Sequence, residues 1–122
     1  MFKRLRRRED VLRIVKSGIS VRGQNYHLKA EPTEFAQEAA FAVVVGKKTA
    51  KNAATRNRIK RRSREALRKV CADFSGFAVV AMPTKKAEKE PFSLLADELK
   101  THAKRLIHRH KTHNDISKNH IP

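Results

Sequence analysis

Eleven of the 23 residues from 47 to 69 are Lys or Arg, and Glu65 is the only acid among them. Within that stretch Lys47, Lys48 and Lys51 precede the run Arg56-Asn57-Arg58-Ile59-Lys60-Arg61-Arg62, and Arg64 follows it. Guanidinium groups donate two parallel hydrogen bonds and so match phosphate, and an Asn amide can bond a phosphate, a sugar hydroxyl or a base edge. These residue types suit capture of a polyanion. At about 100° per residue, Arg56, Lys60 and Arg64 follow one helical ridge, and Arg58, Arg61 and Arg62 follow another with Glu65. The apolar stripe of Ile59 and Ala66 runs between them, so such a helix can dock on a sheet and still present a broad cationic face. The plain alternative is an exposed helix made basic for solubility. Mixed charge would serve solubility better than cations clustered without partners.

The whole chain shares the bias. Its 122 residues carry 29 Lys or Arg against 12 Asp or Glu, a formal charge of +17 before the six histidines are counted. Self-repulsion of that size in a compact fold points to a polyanionic partner, nucleic acid first, with binding that weakens steeply as salt rises. An anionic membrane surface fits less well, because a peripheral helix would show Trp or Phe opposite its basic face and the chain has no Trp. A 39% apolar content supports one modest core, hence a single domain over 1–110 with a polar tail over 111–122 expected to be disordered. The longest apolar runs, 39–45 and 77–82, fall far short of the roughly 20 residues that cross a bilayer. No secretory signal is expected, since Arg13 and Lys16 interrupt the apolar residues near the start. Cys71 is the only cysteine, which fits a reducing, cytoplasmic setting.

Signs of intrinsic catalysis are thin. Asp73 and Asp97 sit in no recognisable acid and base pair, there is no serine elbow, and four glycines form no phosphate loop. Cys71 reads as a packing thiol on the apolar side of the basic helix. His108, His110 and His113 could chelate a metal, but they sit where a helix should fray into a polar tail.

The elements that must position the basic run follow from periodicity. A short helix is predicted over about 9–17, with Glu9 and Asp10 at its start, Val11, Leu12, Ile14 and Val15 on its apolar side, and Gly18 as its stop. Residues 1–8 are too basic to pack and are expected to order only on a polyanion. From 20 to 32 the pattern alternates, with Tyr26, Leu28 and Ala30 on one side and His27, Lys29 and Glu31 on the other, which predicts a strand. A loop over 32–38 leads into a β-branched strand over 41–46. The basic helix should span about 54–72, capped by Asn52 or Thr55, with Ile59, Ala66, Leu67, Val70 and Phe74 inward. Ser75 and Gly76 break it, and 77–82 forms a third strand. Strand, long helix, strand is the pattern of a parallel pair joined by a crossover. A last helix over about 92–109 turns Leu95, Leu99, Ala103 and Leu106 inward.

At Gly46-Lys47-Lys48 and Arg56-Asn57-Arg58-Ile59-Lys60-Arg61, continuing through Arg64-Glu65-Ala66, the sequence closely resembles the protein subunit of bacterial ribonuclease P, whose signature is the RNR motif. The likeness extends over about 1–108 through Arg4-Leu5-Arg6, Glu9-Asp10, Gly18 and Phe77-Ala78-Val79-Val80-Ala81. It implies a two-layer α/β sandwich with a mainly four-stranded sheet, about three helices and a left-handed βαβ crossover against the usual rule. The direct reading yields three strands, so 20–45 or the region near 84 must hold the fourth.

The resemblance also implies a ribonucleoprotein endonuclease that matures the 5′ end of precursor tRNA. Catalysis would belong to Mg2+ held mainly by the RNA subunit, with this chain its noncatalytic partner. Lys47, Lys48, Lys51, Arg56, Asn57, Arg58, Lys60, Arg61, Arg62 and Arg64 would face that RNA. A cleft between the first helix and the sheet would hold the single-stranded leader, with Val11, Val15, Arg22, Tyr26 and Lys29 as candidates. Here the chain departs from the family, which often places aromatic residues at the positions of Val11 and Val15 and on the first strand, whereas this chain has valines and offers Tyr26, His27 and Lys29 nearby. Stacking on a base is worth about 1 to 3 kcal/mol and valine cannot supply it. Leader binding would then rest more on Arg22, Lys29 and shape, and Val11 and Val15 read equally well as core residues. The alternative function is a basic ribosomal or nucleoid-type protein with no nuclease role.

Overall fold

A computed structural model describes residues 3–33 and 39–119, with side chains through Thr112. The elements are β1 (Lys3–Arg4), α1 (Arg8–Ser17), β2 (Ile19–Arg22), β3 (Tyr26–Pro32), β4 (Ala40–Val43), α2 (Ala53–Val70), β5 (Phe77–Pro83) and α3 (Phe92–Asn119). They build one mixed sheet in the order β1-β4-β5-β3-β2. β4 and β5 run parallel as neighbours with α2 between them in sequence, as the strand-helix-strand pattern requires.

The sheet has five strands, not the four expected. The alternating stretch splits into a hairpin, with Val21 opposite Leu28 and a turn at 23–25, because Gly23, Gln24 and Asn25 interrupt the extended backbone. The missing strand thus lay within 20–45. The basic opening also contributes a strand, contrary to expectation: Lys3 and Arg4 pair with Ala40 and Phe41 of β4. Leu5 makes this possible by packing beside α1 and donating its N–H to the Phe41 carbonyl at 2.8 Å. Residues 1–2, and 34–38 of the predicted loop, lie outside the described residues.

The two sheet faces separate by strand parity. Tyr26, Leu28, Ala30, Phe41, Val79 and Ala81 meet Ile59, Ala66, Leu67 and Val70 of α2 and Leu95, Leu99, Ala103 and Leu106 of α3 in the main core. Phe41 and Phe74 meet edge to face, their ring centroids 5.5 Å apart. Ala78 and Val80 point the other way, toward Ile14 of α1. The expected sandwich is therefore present, with short α1 adding cover to part of the second face. Leu12, assigned to the apolar side of that helix, is exposed: its angular offset of about 100° from Val11 turns it away from the sheet.

Helix ends follow local chemistry. Asn52 caps α2, its Oδ1 accepting from the Ala54 N–H at 2.8 Å, and a 3-10 turn over Cys71–Phe74 precedes Gly76, whose φ of +84° suits glycine. Gly18 ends α1 in extended conformation, so its value is space: a Cβ there would stand 2.5 Å from the Ile14 carbonyl oxygen and 2.9 Å from that of Ala30. α3 continues ten residues past its expected end at 109, since no Gly or Pro interrupts 110–119, and His110 packs edge-on to Phe77 at 5.6 Å.

α3 also latches the hairpin. Glu98 accepts from the backbone N–H groups of Asn25 at 3.1 Å and Tyr26 at 2.8 Å, and His102 lies buried against the Tyr26 carbonyl at 3.2 Å. Farther along α3, Arg105 donates to the Arg22 carbonyl at 3.2 Å and Arg109 to that of Ser20. Those carbonyls face outward on an edge strand, so the arginines close an edge that could otherwise pair with another chain.

Two outcomes follow for stability. Gly18→Ala forces backbone apart and should lower the unfolding free energy by about 2 kcal/mol in urea titration, while Gly46→Ala, with open space around it, should stay within about 0.5 kcal/mol. Burial holds the His102 pKa below its ordinary 6.5, with Arg105 and Arg109 acting the same way against the Tyr26 carbonyl and Glu98. The unfolded chain therefore binds the proton more readily, and stability is complete above pH 6.5 and falls as pH drops below it. His27 shifts in the same direction. Urea midpoints measured from about pH 7.5 to about pH 5 should fall less steeply in His102→Gln than in the parent protein.

Candidate nucleic-acid interface

α2 must turn a stripe inward while carrying eight Lys or Arg, and it does so with Ile59, Ser63, Ala66, Leu67 and Val70 buried. Ser63 is tolerated there because its Oγ accepts from the buried Tyr26 hydroxyl at 3.0 Å. The cations then divide into three groups.

The first group makes bonds within the chain. Arg56 donates to the carbonyls of Ala50 at 2.9 Å and Lys51 at 2.8 Å, tying the helix to the turn that bears Lys47, Lys48 and Lys51. Arg62 donates to the carbonyls of Ala87 at 2.5 Å, Glu88 at 2.6 Å and Glu90, holding the turn that precedes α3. Arg58 pairs with Glu88 at 2.9 Å on the same side. The sequence placed all three among the RNA-facing residues; the structure gives their guanidinium protons carbonyl and carboxylate partners, which only the folded chain brings within reach.

The second group is open. Asn57 and Arg61 are exposed, and Lys60 and Arg64 are half-buried, on the side of α2 away from Arg58 and Arg62. Among the described residues, none of the three cations Lys60, Arg61 and Arg64 meets a carboxylate. The third group is the turn itself. Lys47, Lys48 and Lys51 are exposed, and Lys48 and Lys51 border a groove with Lys85 and Lys89 across from them. Lys85 and Lys89 were missed because nothing in 83–91 says that Arg62 will draw it alongside α2.

Four of the five residues predicted to line a leader cleft lie on the other face of the sheet. Val11 and Val15 are half-buried with Leu5, Ala42 and Met82 around Ile14, Ala78 and Val80. Arg22 is exposed and Lys29 half-buried on the same face. Tyr26 does not belong there. It is fully buried on the opposite face against Ser63, because strand parity groups it with Leu28 and Ala30. His27, half-buried, shares the α1 face with Lys29. Its Nε2 lies 2.7 Å from the Ser20 hydroxyl, and burial, then Arg22, Lys29 and His102, push its pKa down. The sequence already offers His27 beside Lys29 through the alternation of this strand.

No three His, Cys, Asp or Glu converge among the described residues, and the His113 side chain lies outside them. No helix of the described residues is long and apolar enough to cross a membrane. Cys71 is half-buried against the main core.

The family model for ribonuclease P matches residues 1–107. The chain belongs to the ribonuclease P protein family. A ribonuclease P protein component from Pseudanabaena is 36% identical over 98 residues, spanning 80% of this chain and 84% of that one. One from Carboxydothermus hydrogenoformans is 31% identical over 99 residues, spanning 78% and 83%. The solved ribonuclease P protein of Thermotoga maritima superposes with a TM-score of 0.72 at 30% identity, over 84% of this chain and 96% of that one. That of Staphylococcus aureus gives 0.69 at 23% identity over 83% and 92%, which bears on the fold alone. Membership makes it a protein component of ribonuclease P, which implies partnership with the ribonuclease P RNA.

The division of the arginines has a measurable consequence. Arg62→Met, which strips three carbonyls of a charged donor, should cost about 2 kcal/mol of folding stability. Arg61→Met, on the open side, should change it by less than about 0.5 kcal/mol. Urea unfolding of the two variants checks the contrast.

Proposed function

We propose that the open side of α2 and the adjoining Lys47–Lys51 turn bind the catalytic RNA, and that the α1 face of the sheet binds the 5′ leader of precursor tRNA, in a holoenzyme that matures tRNA 5′ ends by endonucleolytic hydrolysis. The observation that carries this reading is the cluster of Lys60, Arg61 and Arg64 beside Asn57, left without carboxylate partners among the described residues on a helix whose other arginines are bonded internally. Phosphates would neutralise that surplus, and counterion release would make the association salt-sensitive.

Magnesium held mainly by the RNA would supply an activated water and charge stabilisation at the scissile phosphate. This chain's own part is binding. Lys29 and Arg22 offer charge to a single strand crossing β3 and β2, and His27, fixed by Ser20, offers a ring where Val11 and Val15 offer only apolar surface. Neutral His27 would favour a stacked base over an ion pair at ordinary pH, given the direction of its pKa.

Cleavage of a 5′-extended precursor tRNA by a bacterial ribonuclease P RNA at low magnesium, with and without the protein, tests the proposal. Added protein should lower the magnesium required, keep cleavage at the mature 5′ end, and tighten precursor over mature tRNA. Binding without stimulation would overturn it.

A further inference from the structure

The described surface holds a second group of cations that the proposal above leaves unused. Arg4 and Arg6 border a groove at the β1 edge of the sheet, closed on its other side by Arg64 of α2 and floored by Phe41. Next to it, Lys3 and Arg7 face Arg68 across a second concavity. Asp10, the acid bordering the second, is bonded to Arg13 at 2.9 Å. Arg7 pairs with Glu9 and Arg68 with Glu65, while Lys3, Arg4, Arg6 and Arg64 meet no carboxylate among the described residues.

This edge is built, not frayed. Lys3 and Arg4 sit in parallel register with Ala40 and Phe41, and Leu5 fixes the segment through its N–H and its packing beside α1. Alternation along the extended backbone then sends Arg4 and Arg6 to one side and Leu5 to the other. Holding guanidinium groups beside those of α2 is electrostatically unfavourable for the free chain, and a bound polyanion reverses the sign of that interaction.

We propose that the β1 edge and the adjoining side of α2 form a phosphate-binding groove that seats the backbone of the RNA subunit. The inference rests on the RNA-binding reading of α2 above. Two features favour the RNA subunit over the leader. Arg64 belongs to the same open side of α2 as Lys60 and Arg61, so the groove continues that surface. Arg22 and Lys29 lie on β2 and β3, at the far end of the strand order β1-β4-β5-β3-β2.

The test uses the full chain with Arg4→Ala and Arg6→Ala together, and Arg4→Gln with Arg6→Gln as a second variant that keeps side-chain bulk. Circular dichroism and urea midpoints matching the parent establish that both fold. Affinity for ribonuclease P RNA is measured over a salt series, and precursor against mature tRNA binding is measured in the reconstituted holoenzyme. The groove predicts about tenfold weaker RNA-subunit binding or more at moderate salt, and a slope of log affinity against log salt shallower by about 1.5 to 2, as for two lost phosphate contacts. The ratio of precursor to mature binding should not move. Unchanged affinity and slope would make the edge a solvated surface and overturn the proposal. Intact subunit affinity with a reduced precursor ratio would overturn it by assigning the groove to the leader. Parent protein that binds and stimulates the RNA in the same assays separates either result from failure of the underlying reading.

Discussion

The structure depends on one helix meeting two demands that oppose each other. α2 must bury a stripe deep enough to complete the main core, and it must carry a density of positive charge that no core accepts. Ile59, Ser63, Ala66, Leu67 and Val70 meet the first demand on a narrow arc. The rest of the circumference is then cationic by necessity, because the residues between those positions are nearly all Lys or Arg. Packing against α3 and the sheet leaves that arc facing a neighbour on one side only.

The surplus charge is then sorted by what the fold places alongside. On the α3 side, the 85–90 turn offers carbonyls and Glu88, and Arg58 and Arg62 are bonded there. Arginine suits this use, since its planar fork can meet several carbonyls at once, which a lysine ammonium would do with less order. On the β1 side the neighbours are themselves cationic, and the open residues remain as a surface. A single basic sequence thus yields one half bonded within the chain and one half open at the surface.

The second face of the sheet is shaped by different forces. Short α1 covers Ala78 and Val80 but leaves the hairpin end open, and Arg13 ties it to Glu31 of β3 at 3.1 Å. The hairpin is held from the opposite side by α3, whose Glu98 and His102 occupy the backbone groups of Asn25 and Tyr26. Gly23 is required for this approach, since a Cβ there would stand 2.5 Å from the His102 ring. Positions that read as unremarkable in the sequence therefore fix where His27 and Lys29 point.

Periodicity by itself determined much. The two long helices, their inward residues, the parity of β3, the Asn52 cap and the basic surface follow from local spacing, which is the same in the chain and in the fold. The RNR stretch carried the family resemblance for the same reason, being contiguous. What only the tertiary structure decided depends on segments far apart in sequence. That β1 forms at all requires Ala40 and Phe41 beside Lys3 and Arg4, and no local rule predicts strand pairing in so basic a stretch. Tyr26 was assigned to the wrong face because parity gives two faces without saying which one α2 will cover. Arg56, Arg58 and Arg62 could not be told from Arg61 and Arg64 in the sequence, since a guanidinium is bonded or open according to which carbonyls tertiary packing brings within about 3 Å of it.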